Sequence, residues 1–354
     1  MFNDRKLSGS EALLEAQKIA FAPILFQCAR LLRDYGIFEL IHKNKRNGQS
    51  IEEIVEALNI TTYAAQVLCE TGYSMGALDF KDERYYITTI GYFLFTDEMT
   101  KVNMDFNHYV NYIGLYNLDE SLKEQRPAGL HETFSKEETI YPILSELPEK
   151  AKKSWFDFDH FYSDATFGRL VEIMSQRGIE KLLDVGGNTG KWAIGLTGAT
   201  TDTTVTILDH PGQIKVALGN AKERGLEGRV LGEPMDLLDH TVPFPTGVDG
   251  VWMSQFLDCF GPNDIVNLLK RSRNAINDDG RVYIVEPFWD KSNKIGSFCL
   301  INTSPYFSAL ANGTSKMYRA SEMEEFVKQA GLVVEKQMND LGFNSTLMIC
   351  KKPD

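Results

Sequence analysis

Residues 180–196 read EKLLDVGGNTGKWAIGL, an apolar run that carries Asp184 near its end and passes through a glycine-rich turn into a helix. Glycines at 186, 187 and 190 remove the side chains that would hold a ligand away, so the turn offers bare main chain to whatever it binds. The order Asp184, Val185, Gly186, Gly187, Asn188, Thr189, Gly190 gives D-x-G-x-x-x-G and misses the G-x-G-x-x-G of dinucleotide sites. A carboxylate at the strand end repels a pyrophosphate and suits a cation or an ammonium group, which points away from NAD. Two further aspartates occupy comparable places, Asp209 after VTIL and Asp236 after GEPM. Taken singly, each aspartate serves as well to cap the next helix as to touch a ligand. Three at successive strand ends, on the face where such sheets bind ligands, predict a cofactor site.

Composition bounds the rest. The chain has 354 residues, 43% hydrophobic and 24% charged, which is ordinary for a globular protein and enough for two domains with their own cores. A formal net charge of −12 disfavours electrostatic capture of nucleic acid or of an anionic membrane, so neither is expected as a partner. No apolar run approaches the roughly 20 residues of a membrane span, and no apolar core follows the charges of MFNDRKLSGSEALLEAQ; the expected location is cytoplasmic. Cys28, Cys69, Cys259, Cys299 and Cys350 are scattered without a C-x-x-C pair. They read as buried packing thiols and give no metal site.

The elements that must position the aspartates fall into two patterns. Residues 11–43 carry helical apolar spacing with a break at Pro23. Ser50 and Glu53 form a capping box, Thr61 or Thr62 can cap a second helix, and ALDFKDERYYIT alternates like a hairpin. Helix, turn, helix and wing make a winged-helix pattern. Its second helix contains Glu70 and no Lys or Arg, so a structural or dimerisation module is expected rather than a DNA reader. Residues 100–165 look helical and aromatic-rich. From about 166 strands alternate with helices: KLLDV, TTVTILD, GVDGVWMSQ and GRVYIVEPF, with PNDIVNLLKRSRNAI between two of them, then LVVEKQM and STLMICKK as a terminal hairpin. The predicted division is 1–100, 101–165 and 166–354.

These motifs, in this order, resemble the class I S-adenosylmethionine (SAM) dependent O-methyltransferases of the plant caffeate and bacterial polyketide type. LLDVGGNTG is similar to the family's D-V-G-G-G-x-G loop, VTILDHPGQI to its second strand, GEPMDLLD to its G-D-F-F segment, and MYRASEMEEFVKQAGL to its E-R-T-x-x-E segment. The resemblance implies an α/β fold: a Rossmann-like SAM methyltransferase sheet with a C-terminal antiparallel hairpin, preceded by a mainly α winged-helix dimerisation domain, hence a homodimer. It implies SAM as cofactor, with Asp209 on the ribose hydroxyls, Asp236 near the adenine amino group, and Asp184, Gly186, Gly187, Gly190, Leu237 and Ser254 as further contacts. SAM carries a sulfonium, an ammonium and a carboxylate but no phosphate, which agrees with the acidic strand end.

One departure bears on the chemistry. The family's L-H-D-W segment supplies a histidine base, whereas WMSQFLDCFGPND places Leu257 at the histidine and Cys259 at the tryptophan. Glu286 matches a family glutamate that orients the base, and Tyr318 replaces the glutamate of E-R-T. Three routes stay open for the acceptor's proton. His160 lies between Phe158 and Tyr162 in WFDFDHFYSDATF, a segment similar to the family's pocket-lining F-N-x-x-M helix, and a neutral imidazole there could act as base. Asp258, or Glu286 freed from its partner, could be a desolvated carboxylate base. An acceptor activated by its own substituents could need only alignment with the methyl donor. Phe158, Tyr162 and Tyr318 are the expected acceptor contacts, and His108 and His131 are weaker candidates in the pocket roof. The expected reaction is methylation of a hydroxyl on a small aromatic specialised-metabolite acceptor, such as an aryl polyene head group, free or tethered to a carrier protein. N-methylation, decarboxylation or hydroxylation on the same fold, and a ligand-responsive DNA-binding regulator, are the alternatives.

Overall fold

The segment around Pro23 breaks as its ring requires. One helix ends at Ala20 and the next, Ala22–Asp34, begins with the proline in its first turn, where the missing N–H costs nothing; Ile37–Lys43 follows. The computed structural model describes residue 2, residues 6–342 and residues 344–353, with Asp164 described through its main chain only. Its contacts divide it into two units, Met1–Tyr109 and Val110–Asp354.

In the first unit the capping box forms as written: Ser50 Oγ accepts from Glu53 N, and the Glu53 carboxylate accepts from Ser50 N at 3.0 Å. Thr61 caps the Thr62–Ser74 helix, accepting from Ala64 N at 3.1 Å. Strands β1 (Leu78–Lys81) and β2 (Arg84–Ile87) pair antiparallel across Asp82 and Glu83. Leu32, Phe38, Ile41, Ile54 and Leu68 form the core of this unit. The helix Glu98–Phe106 also belongs here, so the expected 101–165 segment is shared between the two units.

The second unit is built on seven strands: β3 (Lys181–Val185), β4 (Thr204–Asp209), β5 (Val230–Pro234), β6 (Val248–Ser254), β7 (Ile276–Glu286), β8 (Val333–Leu341) and β9 (Ser345–Lys351). They lie in the order β5-β4-β3-β6-β7-β9-β8. The first five are parallel; β9 runs antiparallel beside β7, and β8 beside β9. The strand order reverses at β3, next to β6, and the carboxyl ends of both strands open there, which is where ligands bind in such sheets. The mixed sheet and its terminal hairpin agree with the expected fold. Among the described residues no helix is long and apolar enough to cross a membrane.

Candidate active site

The turn after β3 is fixed by hydrogen bonds to its neighbours. Gly186 N donates to Leu208 O at 2.9 Å with Gly186 at φ 74°, and Gly190, at φ 76°, opens the Lys191–Ala199 helix. Gly187 is required by a close approach: a Cβ there would lie 2.7 Å from Asp184 Oδ2. Asp184 is 3% exposed and its Oδ2 has no partner among the described residues. Burial first, and the nearby Asp209 carboxylate second, push its pKa to about 8. A buried carboxylate under a bare glycine main chain is the donor set that a ligand ammonium would complete, and it does not fit a phosphate.

Asp209 ends β4 and is bonded to main chain at both oxygens, Oδ2 accepting from Asn188 N at 2.8 Å and Oδ1 from His210 N at 2.7 Å. Its capping role is thus real, and each oxygen keeps a second lone pair for a ribose hydroxyl. Asp236 is exposed and accepts from Leu238 N at 2.9 Å, while Met235 and Leu237 on either side are buried. Ser254, part-buried, closes β6.

Beyond Ser254 the chain turns sharply at Gln255, whose φ of 47° is unusual for a side chain of that size. Gln255 N donates to Val285 O at 2.8 Å, and its side-chain Nε2 donates to Tyr162 O at 3.2 Å. Phe256 packs over the cofactor turn: a Cβ on Gly186 would meet its ring at 2.3 Å. Leu257 is fully buried where the family carries its histidine. Glu286 is not freed by that loss. Its Oε1 accepts from Phe256 N at 3.0 Å and Leu257 N at 2.8 Å, so it holds the turn itself, and its Oε2 has no partner among the described residues. Burial and the Asp258 carboxyl raise its pKa well above the usual carboxylate range.

Asp258 is 8% exposed, and burial raises its carboxyl to about 6; the Cys259 thiol, 3.6 Å away, opposes the shift and Asp159 adds to it. Cys259 itself is pushed well above the normal thiol range by burial and then by Asp258, so it is a neutral thiol. Tyr318 donates to Phe260 O at 2.7 Å, bracing the far end of the turn.

The helix Glu149–Ser175 presents one face to this turn. Trp155 Nε1 donates to Tyr306 Oη at 2.7 Å, Tyr162 O accepts from Gln255, and Thr166 Oγ1 lies 3.2 Å from Ser345 Oγ. Helical spacing puts Asp159 on the same stripe. His160 is exposed on a different stripe, its ring edge-on to Phe156 at 6.3 Å. Phe158 and Tyr162 have ring centroids 4.8 Å apart. The structure therefore groups Asp258, Glu286 and Tyr318 around one turn. Asp159 was missed in the sequence, where it is one of several acids in a helix of mixed polarity.

Comparison with known proteins bears on the same two units. Residues 14–85 match the Dimerisation2-like domain, and residues 150–333, just over half of the chain, match the O-methyltransferase domain. The chain belongs to the O-methyltransferase domain family. Among its relatives is an L-tyrosine C(3)-methyltransferase of Streptomyces lavendulae, 29% identical over 88% of this chain and 85% of the relative. Another is a myricetin 7/4'-O-methyltransferase of Solanum habrochaites, 23% identical over 95% and 97%. Of solved structures, the SAM-dependent methyltransferase SibL superposes with a TM-score of 0.70 at 23% identity, covering 95% of this chain and 98% of the other. NcsB1, from neocarzinostatin biosynthesis and solved with SAM and 2-hydroxy-5-methyl naphthoic acid, gives 0.66 at 19% identity, covering 94% and 96%.

The protein is accordingly a SAM-dependent methyltransferase. SAM, when bound, supplies an electrophilic methyl group on a sulfonium. The buried Asp184 carboxylate, the glycine main chain and the Asp209 oxygens fit that molecule.

Proposed function

We propose that the protein methylates a hydroxyl of a small aromatic acceptor of specialised metabolism, such as a phenolic head of an aryl polyene, with Asp258 taking the hydroxyl proton. The observation that carries this reading is the Asp258 carboxyl itself. It is buried, held near neutrality at about 6, and lies two residues beyond the phenylalanine that packs on the cofactor turn. A base with that pKa is ionised at neutral pH and still basic enough to accept a proton in a transition state. Leu257 beside it is fully buried, and alignment of acceptor and methyl group lowers the barrier further. Glu286 keeps the turn in place, and Phe158 and Tyr162 offer flat apolar surface to a ring.

Transfer to a ring carbon next to a phenol is the second reading. The apolar Leu257 at the histidine position favours it, and so does the relative named as an L-tyrosine C(3)-methyltransferase. One experiment separates the two: incubation of the purified protein with SAM and a panel of free and carrier-tethered phenols, with products read by mass and by NMR. A methoxy signal supports the first reading and a new aryl methyl the second. If no phenol gains a methyl group, both fall.

A homodimeric, cytoplasmic enzyme completes the proposal. No residue of the Gly9–Ala20 helix is buried in the single chain, and Leu13, just before the Dimerisation2-like match, and Ile19, Phe21 and Ile24 within it are exposed, as an apolar face awaiting a second copy would be. Sedimentation as a monomer at micromolar concentration would overturn that part.

A further inference from the structure

Arg271 lies within the Pro262–Ala275 helix yet is 7% exposed. Its guanidinium leaves the helix towards the segment between β5 and β6. Nη1 donates to Leu237 O at 2.7 Å, Nη2 to Met235 Sδ at 3.2 Å, and the charge sits 4.0 Å from the centroid of the Phe244 ring. From the other side, Met235 N donates to Asp209 O at 2.9 Å. Residues 235 and 237 are thereby gripped on both flanks of Asp236, whose side chain points outward between them. Burial lowers the Arg271 pKa, opposed by Asp239 and Asp236, the acids that act on it. Nε has no partner among the described residues, so the two Nη contacts and the Phe244 ring hold this withdrawn charge.

We propose that Arg271 is the positioning residue of the adenine site: by clamping Leu237 and Met235 it sets the direction of the Asp236 carboxylate and so the enzyme's selectivity for an adenine base. The inference rests on placing Asp236 at the adenine amino group, and the test distinguishes failure of that placement from failure of the clamp. A guanidinium fork can bond two acceptors while stacking on Phe244, whereas a lysine ammonium on its flexible stem cannot hold all three contacts at once. A methionine keeps the volume but leaves the Leu237 carbonyl without its donor.

The experiment is calorimetric titration of the full chain with S-adenosyl-L-homocysteine and S-inosyl-L-homocysteine, the second lacking the adenine amino group. Wild type, Asp236→Ala, Arg271→Lys and Arg271→Met are compared. Wild type is expected to prefer the adenosyl ligand by about tenfold or more, the worth of one hydrogen bond to a charged group. Asp236→Ala, which removes the acceptor, should lose that preference. Both Arg271 variants should lose most of it too, with the inosyl affinity changing by less than about threefold. Equal weakening of both ligands in Arg271→Lys, or an intact preference, would overturn the clamp. An intact preference in Asp236→Ala would overturn the placement of the adenine. Should Arg271→Met fail to fold, Arg271→Lys alone decides.

Discussion

Glu286 and Leu257 are joined by a hydrogen bond in which the main-chain N–H of the residue at the histidine position donates to the carboxylate at 2.8 Å. The glutamate that the family uses beside a base is used here to hold the turn. Replacement by alanine strands two N–H groups, of Phe256 and Leu257, in a buried place. Glu286→Ala should therefore cost about 2–4 kcal/mol in urea unfolding, while Glu286→Gln, which retains a carbonyl acceptor, should keep more than half of that.

The pH dependence of turnover follows from Asp258. Its carboxyl is raised to about 6, and a base works only when ionised, so activity should fall as pH drops through about 6 and level off above it. Asp258→Asn should lower kcat by about a hundredfold or more and remove that limb. A rate unchanged from pH 8 to pH 5 would remove Asp258 from the mechanism.

Asp184 gives a prediction of opposite sign for stability and binding. Its folded pKa of about 8 lies above the unfolded value of about 3.9, so the folded state holds a proton that the unfolded state has already released between those limits. This term weakens the ligand-free protein as pH rises from about 4 to about 8. Asp184→Asn should then melt higher than wild type at pH 7.5, by about 2 kcal/mol of stability, and should no longer bind S-adenosyl-L-homocysteine in a calorimeter. Wild-type affinity should rise with pH over the same range, because a ligand ammonium needs the ionised form.

Gly186 combines a positive φ with the Phe256 ring where a Cβ would stand. Gly186→Ala should cost about 2–3 kcal/mol and weaken cofactor binding, since both the left-handed main chain and the packed phenylalanine must move. Shortening the ring in Gly186→Ala/Phe256→Leu should recover part of the stability, measured as a double-mutant cycle.

Much of this was legible in the chain. The capping box at Ser50 and Glu53, the break at Pro23, four of the five parallel strands and the terminal hairpin depend on local residue types, and the structure shows them. Strand β5 was implied by the place given to Asp236 but not delimited: VLGEP is short, contains Gly and Pro, and sits at a sheet edge with no alternation to reveal it. Asp184, Asp209, Asp258 and Glu286 were legible as candidates, but what each touches was not. That Asp209 holds the N–H groups of residues 188 and 210, or that Glu286 grips main chain rather than a side chain, depends on non-local approach. Arg271 was missed for the same reason. In NLLKRSR it looks like one of three solvated cations, and only the β5–β6 connection brings Leu237 O and the Phe244 ring to it.

The position of β9 has a bearing on how the protein is made. Residues 345–351 form an interior strand, flanked by β7 on one side and β8 on the other, and all but Lys351 are buried. Until these residues leave the ribosome, β7 presents an unpaired edge with Val282, Ile284 and Val285 along it. Synthesis from the N-terminus thus assembles the cofactor turn and most of the core before the sheet can close. The nascent chain has to carry an open, apolar strand edge until residues 345–351 have emerged, which marks the interval between synthesis of β7 and of β9 as the one when chaperone cover matters most for this enzyme.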